Sequence, residues 1–168
     1  MNVETNVEIL KRVHSQLLKL GFEIQSTDFQ RPWGGFFVID PVDTKKFIHQ
    51  FHPELAEELA STNLPLSPKI LCVAPGQRLS WQHHHRRAEL WKIIEGKAAY
   101  KKSDTDLEGD IKIMEINKTL TLGQGERHRL IGLNEWGIIA EIWQHTDATQ
   151  PSNEDDIVRL QDDYNRDA

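Results

Sequence analysis

The sequence has 168 residues, a formal net charge of −6 and an isoelectric point near 5.7. This length predicts one domain, and the acidic balance argues against a nucleic-acid or membrane-surface partner, because both require a basic face. A single cysteine, Cys72, excludes an internal disulfide framework. No leader-like N-terminus and no apolar run of about 18 residues are found, so we expect a cytoplasmic protein.

The first elements are predicted to form a helical extension over residues 1–30. Thr5 and Glu8 have the spacing of a capping box, and apolar residues follow at helical intervals until Gly21 offers a stop. We therefore expect an amphipathic N-terminal helix.

Shorter elements follow this helix. Proline and paired glycines at 31–35 predict a turn, which is followed by an apolar strand at 36–39. Residues 45–51 are interpreted as another strand. Pro53 then suits a first helical turn, so residues 54–60 are predicted to form a short helix.

From residue 69 onward, short apolar or alternating segments are separated by Gly, Asp or Asn turns, which is typical of an all-β sandwich or barrel. The core motifs fall within residues 69–145. The acidic start of residues 153–166 predicts a C-terminal helix, because carboxylates stabilise a first helical turn. The predicted strands are 69–74, 90–95, 98–102, 111–116, 119–122, 128–131 and 137–143.

Three consecutive histidines lie just before the strand predicted at 90–95. Side chains two residues apart share a face of a strand, so Gln82 with His84, or His83 with His85, would point the same way. The spacing does not choose between the two pairs.

Further candidate ligands come from the sequence around these histidines. Glu89 lies just beyond them, and a glycine turn brings His128 to the start of a later strand. These ligands offer nitrogen and oxygen without thiolate, which predicts a divalent metal. We expect zinc ahead of manganese, cobalt, nickel or iron.

The histidine-rich segment resembles the first cupin motif, with glutamine in the first histidine position. A second stretch resembles the second cupin motif, with Gly123 in place of proline and Gly132 in place of the usual asparagine. The positions that carry the two motifs are Gly76, Gln82, His84, Glu89 and Gly96, then Gly123, Gly125 and His128.

A closer resemblance is to the type II mannose-6-phosphate isomerase family, a cupin module often fused behind a sugar-nucleotide pyrophosphorylase. It is carried by Arg-Pro-Trp-Gly at 31–34, by Leu-Ser-Trp-Gln-His-His-His-Arg-Arg-Ala-Glu-Leu-Trp at 79–91, by His-Arg-Leu at 128–130 and by the closing segment 154–166. The resemblance implies one cupin domain over residues 1–168. Its fold would be a double-stranded β-helix (jelly-roll) barrel with an added N-terminal helix and short peripheral helices, and a homodimer is expected.

The resemblance also selects the ligand pair. It implies Gln82, His84, Glu89 and His128 as metal ligands, and makes His83 structural. The chain departs from the family pattern at two positions, Arg86 and Leu90, where the family has histidines.

The implied reaction is metal-dependent isomerisation of a sugar phosphate, mannose 6-phosphate to fructose 6-phosphate. It needs a base, for which His85 is our candidate, and cations for the phosphate. Lys69, Arg87 and Arg31 are the expected substrate-binding cations, and Arg129, beside a predicted ligand, is expected to assist directly.

Two alternatives stay open. The chain could be a cupin that binds a sugar phosphate without turnover, since fold does not imply function. It could also be a metal-dependent cupin oxygenase, because two histidines and a carboxylate can hold Fe(II).

Overall fold

The computed structural model describes residues 2–166, beginning with a capped helix, α1 (Asn6–Lys19). The Thr5 hydroxyl accepts a hydrogen bond from the Glu8 amide, and the Glu8 carboxylate accepts one from the Thr5 amide, which completes the predicted capping box. One face of α1, with Ile9, Val13 and Leu17, is buried. The predicted N-terminal helix is confirmed, although the extension to residue 30 also contains nearly all of the first strand.

Two antiparallel sheets form the body of the molecule. The larger sheet has β10 at its centre, paired with β3 on one side and β5 on the other. In spatial order its strands are β1 (Ile24–Arg31), β2 (Gly34–Ile39), β3 (Leu66–Val73), β10 (Gly137–His145), β5 (Arg87–Glu95) and β8 (Leu120–Leu122).

The smaller sheet faces the first. Its strands in spatial order are β11 (Val158–Gln161), β4 (Trp81–His83), β9 (Arg127–Gly132), β6 (Ala98–Ser103) and β7 (Lys112–Ile113). The strand predicted at 111–116 is thus shorter in the structure, and the other strands predicted from residue 69 onward are present with small shifts at their ends.

The two faces of the larger sheet bury different sets of residues. Ile138, Ala140 and Ile142 of β10 belong to an apolar cluster that includes the helices, whereas Ile139 belongs to a second cluster between the sheets. Because side chains alternate along a strand, Glu141 and Trp143 share the inner face with Ile139. The inner face therefore carries polar groups into the space between the sheets.

The outer face of the larger sheet is covered by α1 and by two further helices, α2 (Thr44–Phe51) and α3 (Ala56–Ala60). Short 3-10 turns at Pro41–Asp43 and Pro53–Leu55 precede α2 and α3, and the predicted helix at 54–60 is confirmed. All three helices pack away from the space between the sheets. No helix within residues 2–166 is both long and apolar enough to cross a membrane.

The strand predicted at 45–51 is wrong, because this segment forms α2. Phe47 and Phe51 are four residues apart, a spacing that places two side chains on one face of either a strand or a helix. Ile48 is buried with them, which fits one helical face but would require the opposite face of a strand.

The C-terminal helix predicted at 153–166 is also wrong, because β11 forms there and pairs with β4. Asn153 does accept hydrogen bonds from the amides of Asp155 and Asp156, as a cap would. The Asp156 carboxylate, however, bonds to the backbone of the histidine-rich segment, so tertiary contacts override the local preference for a helix.

Candidate metal centre and its cavity

Three of the predicted ligands converge at the inner end of the space between the sheets. Ligand atoms of His84, Glu89 and His128 all lie within 4.8 Å of one another, and the three residues are buried. Glu89 Oε1 lies 3.2 Å from His84 Nε2, and Glu89 Oε2 lies 3.5 Å from His128 Nε2. The three groups come from separate parts of the fold: His84 follows β4, Glu89 lies in β5 and His128 in β9.

The fourth predicted ligand, Gln82, belongs to the same group. It lies opposite His128 in the β4–β9 pair, and its Nε2 is 3.4 Å from His84 Nε2. Its Oε1 accepts a hydrogen bond from the Ser80 hydroxyl. The structure thus brings all four predicted ligands together.

Backbone carbonyls orient both imidazole rings. His84 Nδ1 lies 2.7 Å from the Asp156 carbonyl oxygen, and His128 Nδ1 lies 2.9 Å from that of Glu126. Since a carbonyl only accepts, each Nδ1 carries its hydrogen and donates. The lone pair of each neutral ring is then on Nε2, which points to the cluster, as a metal ligand requires.

The donor set fits a divalent metal. His128 Nε2 is buried and has no hydrogen-bond partner among the described residues. A buried polar atom without a partner is costly, and a cation bound there would satisfy it. Two imidazole nitrogens, a carboxylate and an amide form a nitrogen and oxygen set that zinc, manganese, iron, cobalt and nickel all accept.

The charges of the cluster agree with this role. Burial would raise the pKa of Glu89, but Arg87, His84 and His128 together hold that pKa well below its usual range. Burial lowers the pKa of His128 to about 4, although the Glu89 charge opposes the change. Glu89 is therefore a carboxylate and His128 a neutral imidazole near neutral pH.

His83 and His85 lie on the other side of this segment. Their rings contact each other edge to face, with centroids 5.3 Å apart, and His85 is exposed. The His85 backbone donates to Asp156 and accepts from Gln124, but its ring does not line the cavity. This placement corrects the expectation that His85 is the catalytic base, because alternation along the chain turns its ring away from the ligands.

Arg129 likewise lies outside the cavity. It follows His128 on β9, so its side chain takes the opposite face of the strand. It is fully buried, pairs with Glu108 at 2.6 Å and donates to the carbonyl oxygen of Leu79 and to Gln161. The expected direct role of Arg129 is therefore corrected to a structural one.

The three other predicted cations, Lys69, Arg87 and Arg31, all line the cavity. Lys69 is buried, pairs with Glu154 and lies 3.7 Å from the ring centroid of Trp143. Arg31 pairs with Asp28 at 2.9 Å and is partly exposed. These positions create a positively charged wall beside the ligand cluster.

Arg87 links this wall to the ligands. Its Nε donates to Glu89 Oε1 at 2.8 Å, its Nη2 lies 3.2 Å from His84 Nε2, and its Nη1 donates to the Ser152 hydroxyl at 2.8 Å. Its Cζ also lies 3.6 Å from the centroid of the Trp143 ring. Arg87 thus contacts four groups: Glu89, His84, Ser152 and Trp143.

Sequence reasoning missed several residues of the cavity. Glu141 is buried on its floor, and Glu154, Arg159 and Arg166 reach it from the C-terminal segment. Glu141 is the one charged residue in an otherwise apolar segment of its strand, and this pattern could have identified it as a candidate site residue. The C-terminal residues carried no such signal, because only the pairing of β11 with β4 brings them to the cavity.

The two departures from the family pattern fall outside the cavity lining. Leu90 is buried among the apolar residues of the outer face, with the helices. The Arg86 amide donates to Asp156, and the Arg86 side chain is partly exposed. Neither residue belongs to the ligand cluster or to the cationic wall.

Comparison with known families gives one match. A family described as mannose-6-phosphate isomerase C-terminal matches residues 51–162. This range includes every predicted metal ligand and the cavity-lining strands β3, β5 and β10.

Curated proteins with similar sequences are longer. The chain is 29% identical over 136 residues to a mannose-1-phosphate guanylyltransferase of Escherichia coli strain K12, covering 81% of this chain and 22% of that protein. It is 35% identical over 100 residues to the alginate biosynthesis protein AlgA of Pseudomonas aeruginosa, covering 60% and 19%. The chain therefore spans about a fifth of the length of these relatives.

Solved structures show the same fold. An oxalate decarboxylase of Bacillus subtilis, studied for its Mn(II) centres, superposes with a TM-score of 0.55 at 16% identity, covering 83% of this chain and 32% of that one. The Lactobacillus farciminis oxalate decarboxylase gives 0.53 at 18%, covering 80% and 33%. Identity this low shows the fold alone, and with the two-sheet architecture it confirms the predicted cupin jelly-roll barrel.

Proposed function

The chain belongs to the mannose-6-phosphate isomerase C-terminal family, and from this membership we propose that it is a metal-dependent sugar-phosphate isomerase. Its substrate pair would be mannose 6-phosphate and fructose 6-phosphate. The observation that carries the proposal is a cluster of candidate metal ligands that adjoins a cavity with a cationic wall, since Gln82 and Glu89 line that cavity.

The ligand cluster supports the metal part of the proposal. Gln82, His84, Glu89 and His128 would hold a divalent ion, with zinc our first expectation. When bound, such an ion polarises a carbonyl as a Lewis acid. The orienting bonds to His84 and His128 keep both rings ready for this role without movement.

The cationic wall supports a phosphorylated substrate. A sugar phosphate carries about 1.5 to 2 negative charges near neutral pH, and arginine forks and lysines bind such groups well. Lys69 and Arg31 line the cavity, where they pair with Glu154 and Asp28, while Arg87 donates to Glu89. We assign phosphate attraction to Lys69 and Arg31 and assign Arg87 to the sugar end of the cavity.

The aromatic lining supports a sugar. Trp33, Trp91 and Trp143 all line the cavity. Aromatic side chains offer apolar faces, against which the apolar face of a sugar ring can pack. The cavity therefore offers contacts to each part of a hexose phosphate: its phosphate, its ring and its carbonyl end.

The test is a coupled assay of mannose 6-phosphate conversion to fructose 6-phosphate. Metal-stripped protein is refilled separately with zinc, manganese, cobalt, nickel or iron(II), and metal content is measured for each sample. We expect turnover with at least one metal at one equivalent per chain. Stoichiometric metal binding without turnover by any loaded sample would contradict the isomerase and favour a sugar-phosphate-binding cupin.

Neighbouring histidines provide a matched control for this assay. His84→Ala removes a proposed ligand, whereas His85→Ala removes an exposed ring one position away. We expect His84→Ala to lose both bound metal and turnover, and His85→Ala to keep both. Equal losses in the two variants would contradict the proposed ligand set.

A further inference from the structure

Glu141 is a buried carboxylate on the cavity floor that the metal and phosphate sites leave without a role. It lies in β10, the central strand of the larger sheet, and is only 4% exposed. Every other residue from Gly137 to Ile142 of this strand is apolar or glycine. A charged residue kept in such a strand requires a reason, because burying a carboxylate is costly.

The strand register places Glu141 beside the ligand cluster. Glu141 pairs with Lys69 of β3 on one side and with Trp91 of β5 on the other. Glu89 lies two residues before Trp91 and on the same face, so it is the diagonal neighbour of Glu141. Diagonal neighbours across antiparallel strands are about 7–8 Å apart, which is within reach of long side chains such as glutamate.

Two indole groups hold the Glu141 carboxylate in place. Trp91 Nε1 donates to Oε2 at 2.7 Å, and Trp143 Nε1 donates to Oε1 at 2.9 Å. Each carboxylate oxygen keeps a further lone pair, because an ionised carboxyl group can accept about four hydrogen bonds. The group is therefore rigid but still able to accept a proton.

The surroundings favour a strong base at this position. Burial, reinforced by the Glu89 charge, raises the pKa of Glu141 to about 8, although Lys69 and Arg87 lower it. A base is most effective when its pKa lies near the working pH. The carboxylate of Glu89 is a weaker base, because Arg87 and the two histidines hold its pKa low.

The other proton acceptors around the cavity are less suitable. Glu154 is about half exposed at the rim and pairs with Lys69. The Nε2 atoms of His84 and His128 point into the proposed metal site, and the His85 ring lies outside the cavity. Among the carboxylates that line the cavity, Glu141 alone combines burial, fixed position and no assigned ligand role.

We propose that Glu141 is the residue that moves the proton during isomerisation, an inference that rests on the proposed function. Its carboxylate removes the proton from C2 of the aldose, and the electrons of that C–H bond form the C1–C2 double bond while the carbonyl electrons move to O1. The O2 hydroxyl proton passes to O1. Protonated Glu141 then returns its proton to C1 as C2–O2 becomes the ketone, so no other reactant is consumed.

The test compares Glu141→Gln with wild type, both loaded with the metal that supports turnover. Four quantities are measured: metal content, melting temperature, the Kd for mannose 6-phosphate from tryptophan fluorescence, and kcat. We expect kcat to fall at least about 100-fold, as loss of a general base does. Metal content should stay at one equivalent and Kd should stay within about fivefold, because no ligand or cation is changed.

Two further variants separate proton transfer from structure. Glu141→Asp keeps a carboxylate, so it should recover part of the kcat that Glu141→Gln loses. Glu95→Gln changes an exposed strand glutamate at the far end of β5, which pairs with Arg12, and should match wild type.

Each result has a defined meaning. Turnover by Glu141→Gln within tenfold of wild type would overturn the role of Glu141 and leave the isomerase proposal intact. Loss of bound metal or of substrate affinity in both Glu141 variants would show that the residue supports the structure of the site, and would also overturn its role in proton transfer. A wild-type protein that binds metal but does not turn over would overturn the isomerase proposal and this role with it.

Discussion

At the residue scale, Asp156 shows how a distant side chain prepares the ligand cluster. Its carboxylate accepts hydrogen bonds from the His85 and Arg86 amides and from the Ser152 hydroxyl, and its carbonyl oxygen orients His84. Burial would raise the pKa of Asp156, but these hydrogen bonds and Arg86 lower it to about 2. The residue therefore stays charged and fixes the turn between β4 and β5.

We expect Asp156→Ala to weaken metal binding by about 10- to 100-fold, the range typical of lost outer-shell contacts. The physical reason is that the turn carrying His84 would lose the carboxylate that accepts from the His85 and Arg86 amides, although the backbone carbonyl that bonds to the His84 ring remains. Competition with a metal chelator measures the change. Asp155→Ala, an exposed neighbour, is the control, and equal affinity in both variants would show that Asp156 does not orient the ligand.

At the element scale, the helices stabilise the fold from the side of the sheet that does not contain the cavity. α1 buries Ile9, Val13 and Leu17 against the outer apolar cluster. The Trp136 indole donates to the Glu4 carbonyl oxygen at 2.8 Å, which fixes the start of α1. Stability and site chemistry are thus carried by opposite faces of one sheet.

This separation predicts the effect of removing the α1 cap. Thr5→Ala should lower the free energy of unfolding by about 1 kcal/mol, because the Glu8 amide loses its acceptor. Metal affinity should not change. Denaturant unfolding measures the first quantity and metal titration the second. The control is Val7→Ala, at an exposed position of the same helix, whose unfolding free energy should stay within about 0.5 kcal/mol of wild type. A lower metal affinity in Thr5→Ala would contradict the separation of stability from site chemistry.

At the scale of the whole molecule, the fold concentrates opposed charges in its interior. Glu89, Glu141, Lys69 and Arg87 are all buried at the cavity between two apolar layers. Charged side chains are almost never fully buried unless they are paired, and here acidic and basic side chains lie on neighbouring strands β3, β10 and β5. The homodimer expected from the family resemblance is a separate matter and stays a prediction.

The raised pKa of Glu141 predicts a pH dependence of stability in metal-stripped protein. Glu141 titrates near pH 8 when folded but near 4.5 when unfolded, so the folded state binds more protons between these values. Its contribution to stability therefore falls as pH rises from about 4.5 to about 8. The difference in unfolding free energy between wild type and Glu141→Gln should show this slope, and a difference independent of pH would contradict it.

The sequence by itself determined the parts of the molecule that depend on local spacing. Glycine at 76, 96 and 125 predicted turns, and each has a positive φ in the structure. At Gly96 a Cβ atom would lie 2.0 Å from the Trp136 carbonyl oxygen, so only glycine fits. The short alternating strands followed from the same kind of pattern, whereas the family resemblance selected Gln82 and His84 over their neighbours as candidate ligands.

Only the tertiary structure decided which side chains meet across strands. Phe47, Ile48 and Phe51 suit a strand or a helix locally, and their burial against the larger sheet selected the helix. The segment from Asn153 has a helix cap, yet pairing with β4 drew it into a strand. Glu141 lies beside Lys69 and Trp91, and Asp156 lies beside His84. These partners are 50 to 72 residues apart along the chain, so no local sequence pattern predicts their contacts. Such contacts depend on sheet register, which is set by the burial of the whole core.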